Sequence, residues 1–170
     1  MAIKLTSTQI NEYVKLISVN DSAIDWVLSY SFIEKEPEET DDDWISRKQK
    51  FHTDFRDYSQ LVLKPDDHPT VFIFKNPMTL ENQKLITNLQ LSVAGIGTKK
   101  EPAALWFDLF DELVVGVASD MLSDPQPLPR NKHTKRLEKE VVEALAAQGV
   151  ISELASILLT LSMKKPDKKN

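Results

Sequence analysis

Apolar side chains recur at helical spacing in the middle of the chain, and they form its clearest pattern. They are Leu105, Trp106, Leu109, Phe110, Leu113, Val114, Val117 and Met121. Residues three and four apart share one face of an α-helix, so the pattern predicts a helix over residues 102–122 with a wide apolar face. Most such faces are core, but Trp106, Phe110 and Leu113 could instead fill a groove on a partner protein.

Two helices are predicted in the first sixty residues. Thr6 and Gln9 have the spacing of a capping box. The apolar residues that follow at helical spacing are Ile10, Tyr13, Val14 and Ile17. Thr40 can cap a second helix, whose first turn contains Asp41, Asp42 and Asp43, where the helix dipole favours negative charge. Its aromatic stripe consists of Trp44, Phe51, Phe55 and Tyr58.

Strand signals are fewer and lie close together. Residues 70–75 read Thr-Val-Phe-Ile-Phe-Lys, a continuous apolar run that predicts a strand with both faces covered. Residues 61–63 could pair with it across the proline-rich turn that lies between them. Residues 24–33 fit either a strand or a helix, and their aromatic and β-branched content favours a strand.

Three more helices are predicted in the second half of the chain. Thr79 can cap a helix that ends at Gly95 and Gly97. Its inward positions are Leu85, Ile86, Leu89 and Val93. Thr134 can cap another, which carries Leu137, Val141 and Leu145. Gly149 separates it from a last helix with Ile151, Leu154, Ile157, Leu158 and Leu161.

These elements predict an α+β fold, a mainly helical single domain over residues 1–163 with a small β-sheet or hairpin around residues 61–75. The domain can be divided into residues 1–60, 61–123 and 130–163, with a proline-rich, extended connector at 124–129. Residues 164–170 form a basic tail that we expect to be flexible.

Composition narrows the possible functions. The chain has 170 residues, of which 41% are apolar and 28% charged, as in globular domains. It has no cysteine, which excludes disulfides, thiolate metal sites and a cysteine nucleophile. The sequence shows neither a signal peptide nor an apolar run long enough to span a membrane, so we expect a soluble, intracellular protein that binds no membrane.

The net charge of −5 is unevenly distributed, with −9 over residues 1–129 and +4 from Arg130 onward. Acidic chains bind nucleic acids poorly because phosphate contacts need clustered Lys and Arg, so no nucleic-acid partner is expected. The asymmetry is compatible with ordinary solvated surfaces, with attraction between copies of the chain, or with a basic partner protein.

Residues that could carry chemistry are sparse. His52 lies in a predicted helix, where a solvated surface position is the simplest interpretation. His68 lies in a predicted turn, and His133 is most simply a polar residue at a helix start. One histidine beside carboxylates is a weak basis for a metal site. Gly95-Ile96-Gly97 lacks the third glycine and the preceding strand of a nucleotide loop. We therefore predict no catalytic residues, no metal and no cofactor.

One stretch resembles a known class of proteins. Residues 69–81, Pro-Thr-Val-Phe-Ile-Phe-Lys-Asn-Pro-Met-Thr-Leu-Glu, resemble the strand–proline–helix opening of small accessory proteins of tailed bacteriophages. Residues 141–145, 151–157 and the polar end 167–170 are similar to the helical C-termini of those proteins. The resemblance covers residues 61–170. It implies a non-enzymatic assembly role, as a tail-assembly chaperone or a minor virion protein.

The functional expectation is therefore protein–protein interaction in phage tail or particle assembly, with other phage proteins, such as tail or tape-measure proteins, or further copies of the chain as partners. The chain would act in the host cytoplasm during assembly or remain in the virion. An alternative is an acidic inhibitor or adaptor that binds a basic host protein through Asp41, Asp42 and Asp43.

Overall fold

The computed structural model describes residues 12–95 and 101–163. It contains a small antiparallel sheet and helices that flank it, which confirms the predicted α+β class. The strands are β1 (Tyr13–Ile17), β2 (Val71–Lys75) and β3 (Val114–Ala118). The helices are α1 (Asp41–Phe55), α2 (Leu80–Val93), α3 (Pro102–Leu113), α4 (Lys139–Ala147) and α5 (Val150–Ser162), and a 3-10 turn covers Tyr58–Gln60.

β2 is the central strand of the sheet, in the order β1-β2-β3. Its side chains alternate between two apolar clusters, as the pleat of a strand requires. Phe72 and Phe74 point toward the helices, whereas Val71 and Ile73 point to the opposite face. All four are buried, so the prediction that both faces of this strand are covered is confirmed.

The helix side of the sheet is an apolar core formed mainly by α2, α3 and α5. Phe110 of α3 makes edge-on ring contacts with Phe72 and Phe74, at centroid distances of 6.0 and 5.3 Å. Leu154 and Leu158 of α5 are fully buried in the same cluster. This core combines residues from all three predicted sub-units, and Leu16 of β1 is the buried residue that the first sub-unit contributes.

The other face of the sheet is covered by irregular chain rather than by helices. Ile24, Trp26 and Leu61 pack there against Val71 and Ile73. Helix α1 lies outside this layer and contacts the irregular chain both through buried polar side chains and through ring contacts of Phe51 with Tyr30 and Phe32. Lys48 and His52 are the buried residues of α1.

The long helix predicted over residues 102–122 is wrong in its second half. Pro102 begins α3 as expected, but the helix ends at Leu113, and Val114–Ala118 form β3. The run Val-Val-Gly-Val favours a strand, and pairing with β2 stabilises it. Gly116 is required here, because a Cβ atom would lie 2.3 Å from the carbonyl oxygen of Gln126.

The first predicted helix is also wrong where it can be checked. Tyr13, Val14 and Ile17 belong to β1, which pairs with β2 along its whole length. Pairing with the neighbouring strand overrides the helical spacing of these residues. The predicted capping residues Thr6 and Gln9 lie outside the described residues.

Two strand predictions are wrong. Residues 24–33 form turns, apart from an isolated bridge between Ile24 and Leu63. Residues 61–63 do not pair with β2, because β1 and β3 already occupy both of its edges. The continuous apolar run of β2 indicated burial but could not identify the partners.

Helix boundaries follow the capping residues in most cases. The hydroxyl oxygens of Thr40 and Thr79 accept hydrogen bonds from the N–H groups of Asp43 and Asn82, which confirms both caps. α1 ends at Phe55, so Tyr58 lies in the 3-10 turn instead. The predicted cap at Thr134 is wrong, since α4 begins at Lys139 with Glu138 as its N-cap.

Gly149 separates α4 from α5, as expected, with a φ of 70° that favours glycine. Residues 124–129 form no helix, and Gln126 forms an isolated bridge with Val117 of β3. Gly97 and the basic tail of residues 164–170 lie outside the described residues.

Candidate docking site

β1 is an edge strand, and in the described part of the chain it pairs only with β2. The N–H of Asn76 donates to the carbonyl of Glu12, which identifies the hydrogen-bonded pairs between the two strands. In an antiparallel ladder these pairs alternate, so Tyr13, Lys15 and Ile17 direct their N–H and C=O groups away from β2. These three residues define the open edge of the sheet.

The Ile17 end of this edge is closed by two side chains. The N–H of Ile17 donates to the Tyr58 hydroxyl at 3.2 Å. The carbonyl of Ile17 accepts from Nε2 of His52 at 3.2 Å. The described residues provide no hydrogen-bond partner for the backbone N–H and C=O groups of Tyr13 and Lys15 that point away from β2. The available edge is therefore short and ends at a defined position.

The position of the His52 proton follows from its contacts. A carbonyl can only accept, so Nε2 carries the proton, and Nδ1 accepts from the Tyr30 hydroxyl at 2.6 Å. Burial lowers the pKa of His52, the bond to Ile17 opposes this effect, and Arg56 lowers the pKa further. Burial also raises the pKa of Tyr30 above its ordinary range and that of Tyr58 to about 12. The cluster is neutral at physiological pH.

A groove of about 720 Å³ runs along β1 and is also lined by the end of α1, the segment between β2 and α2, and the end of α5. We call it the edge groove. Its walls include three large apolar side chains that remain exposed: Tyr13 at 46%, Phe55 at 68% and Met78 at 48%. Phe55 continues into a row of ring contacts with Phe51 and Phe32.

The edge groove also contains two cations. Arg56 caps α1 in the left-handed region, with a φ of 49°, and its guanidinium donates to the carbonyl of Thr53. Lys15 donates through Nζ to the carbonyl of Met121. Neither forms an ion pair with another described residue. Non-glycine residues seldom adopt a positive φ, and such strain concentrates at functional sites.

The apolar residues predicted to bind a partner belong to the core of this chain. Phe110 and Leu113 are fully buried, and Trp106 is half-buried against the same cluster. In this fold, the side chains of Phe110 and Leu113 face the sheet and α5 rather than solvent. A contact between either side chain and a partner would require α3 to detach.

The predicted acidic residues are exposed in the first turn of α1. Asp41 forms an ion pair with Lys35 at 2.5 Å. Asp43 completes the cap by accepting from the Thr40 hydroxyl at 2.8 Å. Two of the three aspartates therefore have contacts within this chain, as the helix-start interpretation expects.

The histidines are not brought together with carboxylates. His52 is buried and bonds to Tyr30 and Ile17, so its predicted surface position is wrong, whereas His68 and His133 are exposed. Among the described residues no group of three or more His, Cys, Asp and Glu side chains could hold a metal ion. Gly95 follows the end of α2 with a φ of 83°, and the other two residues of Gly95-Ile96-Gly97 lie outside the described residues.

Sequence reasoning missed the residues that form the edge groove. Arg56 gave no signal, because an arginine at a helix end is ordinary and its left-handed backbone cannot be read from the sequence. The helical spacing of Tyr13, Val14 and Ile17 predicts a helix, and this wrong prediction hides the open edge. The alternation of Tyr13, Lys15 and Ile17 with Val14 and Leu16 was the available signal.

Comparison with known proteins gave no match to a family model, a curated protein or a solved structure. The resemblance to phage accessory proteins therefore stays a prediction. In the described ranges no single helix is long and apolar enough to cross a membrane; α4 and α5 would pass only as a pair, and they meet at 85°.

Proposed function

We propose that this chain acts by docking onto other proteins without catalysing a reaction, as an assembly chaperone or minor structural protein of a bacteriophage tail or particle. The observation that carries the proposal is the open β1 edge beside the edge groove. Unpaired strand edges are templates for pairing with another chain, and soluble proteins usually cover them. Exposed apolar side chains flank this edge, which favours a binding surface.

The phage setting rests on the sequence resemblance of residues 61–170. The docking mechanism rests on the geometry of β1. These two parts can fail separately, so each needs its own test.

Site-specific photo-crosslinking tests the docking mechanism. A photoreactive amino acid at position 13 should give discrete adducts with one or a few partner proteins in cells that produce the protein in its native setting. The control position is Leu122, which is 94% exposed and does not line the edge groove. Adducts at position 122 but none at position 13 would argue against docking through this edge.

Particle analysis tests the phage setting and separates its two forms. A minor virion protein should be present in purified particles at fixed stoichiometry, whereas a chaperone should be present during assembly and absent from finished particles. Tape-measure and tail-tube genes beside this one would support the setting. A location within a metabolic operon would contradict it.

The alternative function, an acidic adaptor for a basic host protein, makes a separate prediction. Asp42→Lys should then abolish that binding, because Asp42 is exposed and, unlike Asp41 and Asp43, has no contact that holds the start of α1. Unchanged binding would leave docking through the β1 edge as the better explanation.

A further inference from the structure

We propose that the edge groove binds an extended peptide segment as an added strand beside β1, with an acidic side chain of that segment paired to Arg56. The inference rests on the proposed docking function and specifies the kind of partner. The occupant is a segment of another protein that alternates apolar and polar residues and carries one carboxylate.

Backbone geometry favours a strand over a helix as the occupant. Tyr13 and Lys15 each present one N–H and one C=O outward, and residues two apart match the spacing of an incoming strand. The Tyr58 hydroxyl and His52 already occupy the same groups of Ile17. An added strand therefore cannot pair beyond Lys15, and this limit determines its register.

The side chains of the groove favour apolar residues at alternate positions of the peptide. Successive residues of a strand point to opposite sides, so every second side chain would meet the same wall. Phe55 lies on one wall and Met78 on the other, and both are exposed in the free protein. Burying these apolar surfaces would contribute to affinity in proportion to their area.

Charge determines which polar group the peptide should carry. Arg56 lines the groove together with Tyr58, whose hydroxyl closes the Ile17 end, and this places its positive charge near the closed end of the edge. In the described part of the chain no carboxylate pairs with it, although guanidinium groups bind carboxylates well. Glu12 lines the opposite end of the groove, so a carboxylate is favoured near Arg56 and disfavoured near Glu12.

Selection from a displayed library of random linear peptides tests the proposal with the full-length chain as bait. We expect enriched sequences to combine alternating apolar residues with one Asp or Glu. N-methylation of two alternate backbone amides should weaken a selected peptide about tenfold or more, whereas methylation of the intervening amides should have less than about a threefold effect, because only one set faces β1. Fluorescence anisotropy measures both affinities.

Two glycine variants provide a matched comparison. Arg56→Gly removes a cation from a residue with φ of 49°, and Lys135→Gly removes an exposed cation from a residue with φ of 62° that does not line the edge groove. Arg56→Gly should weaken a selected peptide about tenfold, and Lys135→Gly should leave its affinity unchanged. A peptide with Gln in place of its Glu should bind the wild type and Arg56→Gly equally.

Several results would overturn the inference. These are the absence of enriched peptides, insensitivity of binding to N-methylation, and equal losses of affinity for the two glycine variants.

Displacement of a selected peptide by a synthetic peptide of residues 1–11 would assign the groove to this chain's own N-terminus. A dimer in sedimentation experiments that Arg56→Gly dissociates would assign it to a second copy. If the library fails while crosslinks persist through position 13, the docking function stands and only this inference fails.

Discussion

The two faces of the sheet are held by different kinds of interaction. On the helix side, Phe72, Phe74 and Phe110 pack with the leucines of α5 in an apolar core. Beyond the other face, α1 is anchored by buried polar groups, and Lys48 and His52 are nearly inaccessible to solvent. Among the described residues no buried side-chain polar atom lacks a hydrogen-bond partner. The helix side depends on buried apolar area, whereas the attachment of α1 beyond the other face depends in addition on hydrogen bonds to buried polar groups.

This difference determines how each side should fail. An apolar core loses stability in proportion to the atoms removed and the cavity that remains. A buried polar cluster loses stability when one partner is removed, because the other is left without a hydrogen bond. The following predictions test this contrast, from the largest expected effect to the smallest.

Phe110→Ala should have the largest effect. The side chain is fully buried and contacts both phenylalanines of β2. We expect the free energy of unfolding to fall by about 3–5 kcal/mol, measured by urea denaturation. Phe55→Ala is the control, because this side chain is 68% exposed. Equal losses for the two variants would show that the helix side is not the main source of stability.

Lys48→Met should have an intermediate effect. Nζ of Lys48 donates to the carbonyls of Trp26 and Val27 at 3.3 and 2.7 Å and lies 3.8 Å from the centre of the Trp44 ring. Methionine fills similar space but leaves both carbonyls without this donor, so we expect a loss of about 1–3 kcal/mol in urea denaturation.

Lys50→Met is the matched control, since Lys50 is two residues away, and its exposed ion pair with Asp54 should contribute little. An unchanged or raised stability of Lys48→Met would mean that the desolvation free energy of the buried Lys48 charge is at least as large as the stabilisation from its hydrogen bonds.

His52 should make stability dependent on pH. Burial lowers its pKa in the folded protein below the ordinary value of 6.5, so the unfolded chain takes up the proton first as the pH falls. The contribution of neutral His52 is complete above about pH 6.5 and is lost as the pH falls from there toward the folded-state pKa. Thermal unfolding at a series of pH values measures this loss.

His52→Gln should flatten the pH profile over that interval, whereas replacement of the exposed His68 by Gln should leave the slope intact. The same slope in wild type and His52→Gln would assign the pH dependence to other groups.

The contrast between the two faces also explains which elements the sequence predicted. α2 and α5 were identified because apolar residues at helical spacing pack against an apolar core, so burial and periodicity agree. The caps at Thr40 and Thr79 are local interactions and depend little on the rest of the fold. These parts of the fold could be predicted with no knowledge of the partners.

The polar side escaped prediction because its interactions are non-local. His52 resembles a surface residue until Ile17 and Tyr30, distant in sequence, supply its hydrogen bonds. Tyr13–Ile17 resembles a helix until β2 offers a strand partner. The edge groove depends on both of these tertiary contacts, so local sequence patterns alone could not predict it.

Arg56→Gly should have the smallest effect on stability, and a sign opposite to that of the other variants. Arg56 holds a left-handed conformation that costs a non-glycine residue about 1 kcal/mol, and glycine adopts it freely. The guanidinium has one hydrogen bond, to the carbonyl of Thr53, and no ion pair with a described residue. We therefore expect the free energy of unfolding to stay constant or to rise by up to about 1 kcal/mol in urea denaturation.

Lys135→Gly should change stability by a similar amount, because Lys135 has a similar φ in a loop. A substantial loss for Arg56→Gly alone would mean that the arginine supports the end of α1. Constant or increased stability would show that the arginine is not needed to stabilise the fold, and the peptide affinities of the two glycine variants would then separate a binding role at position 56 from position 135.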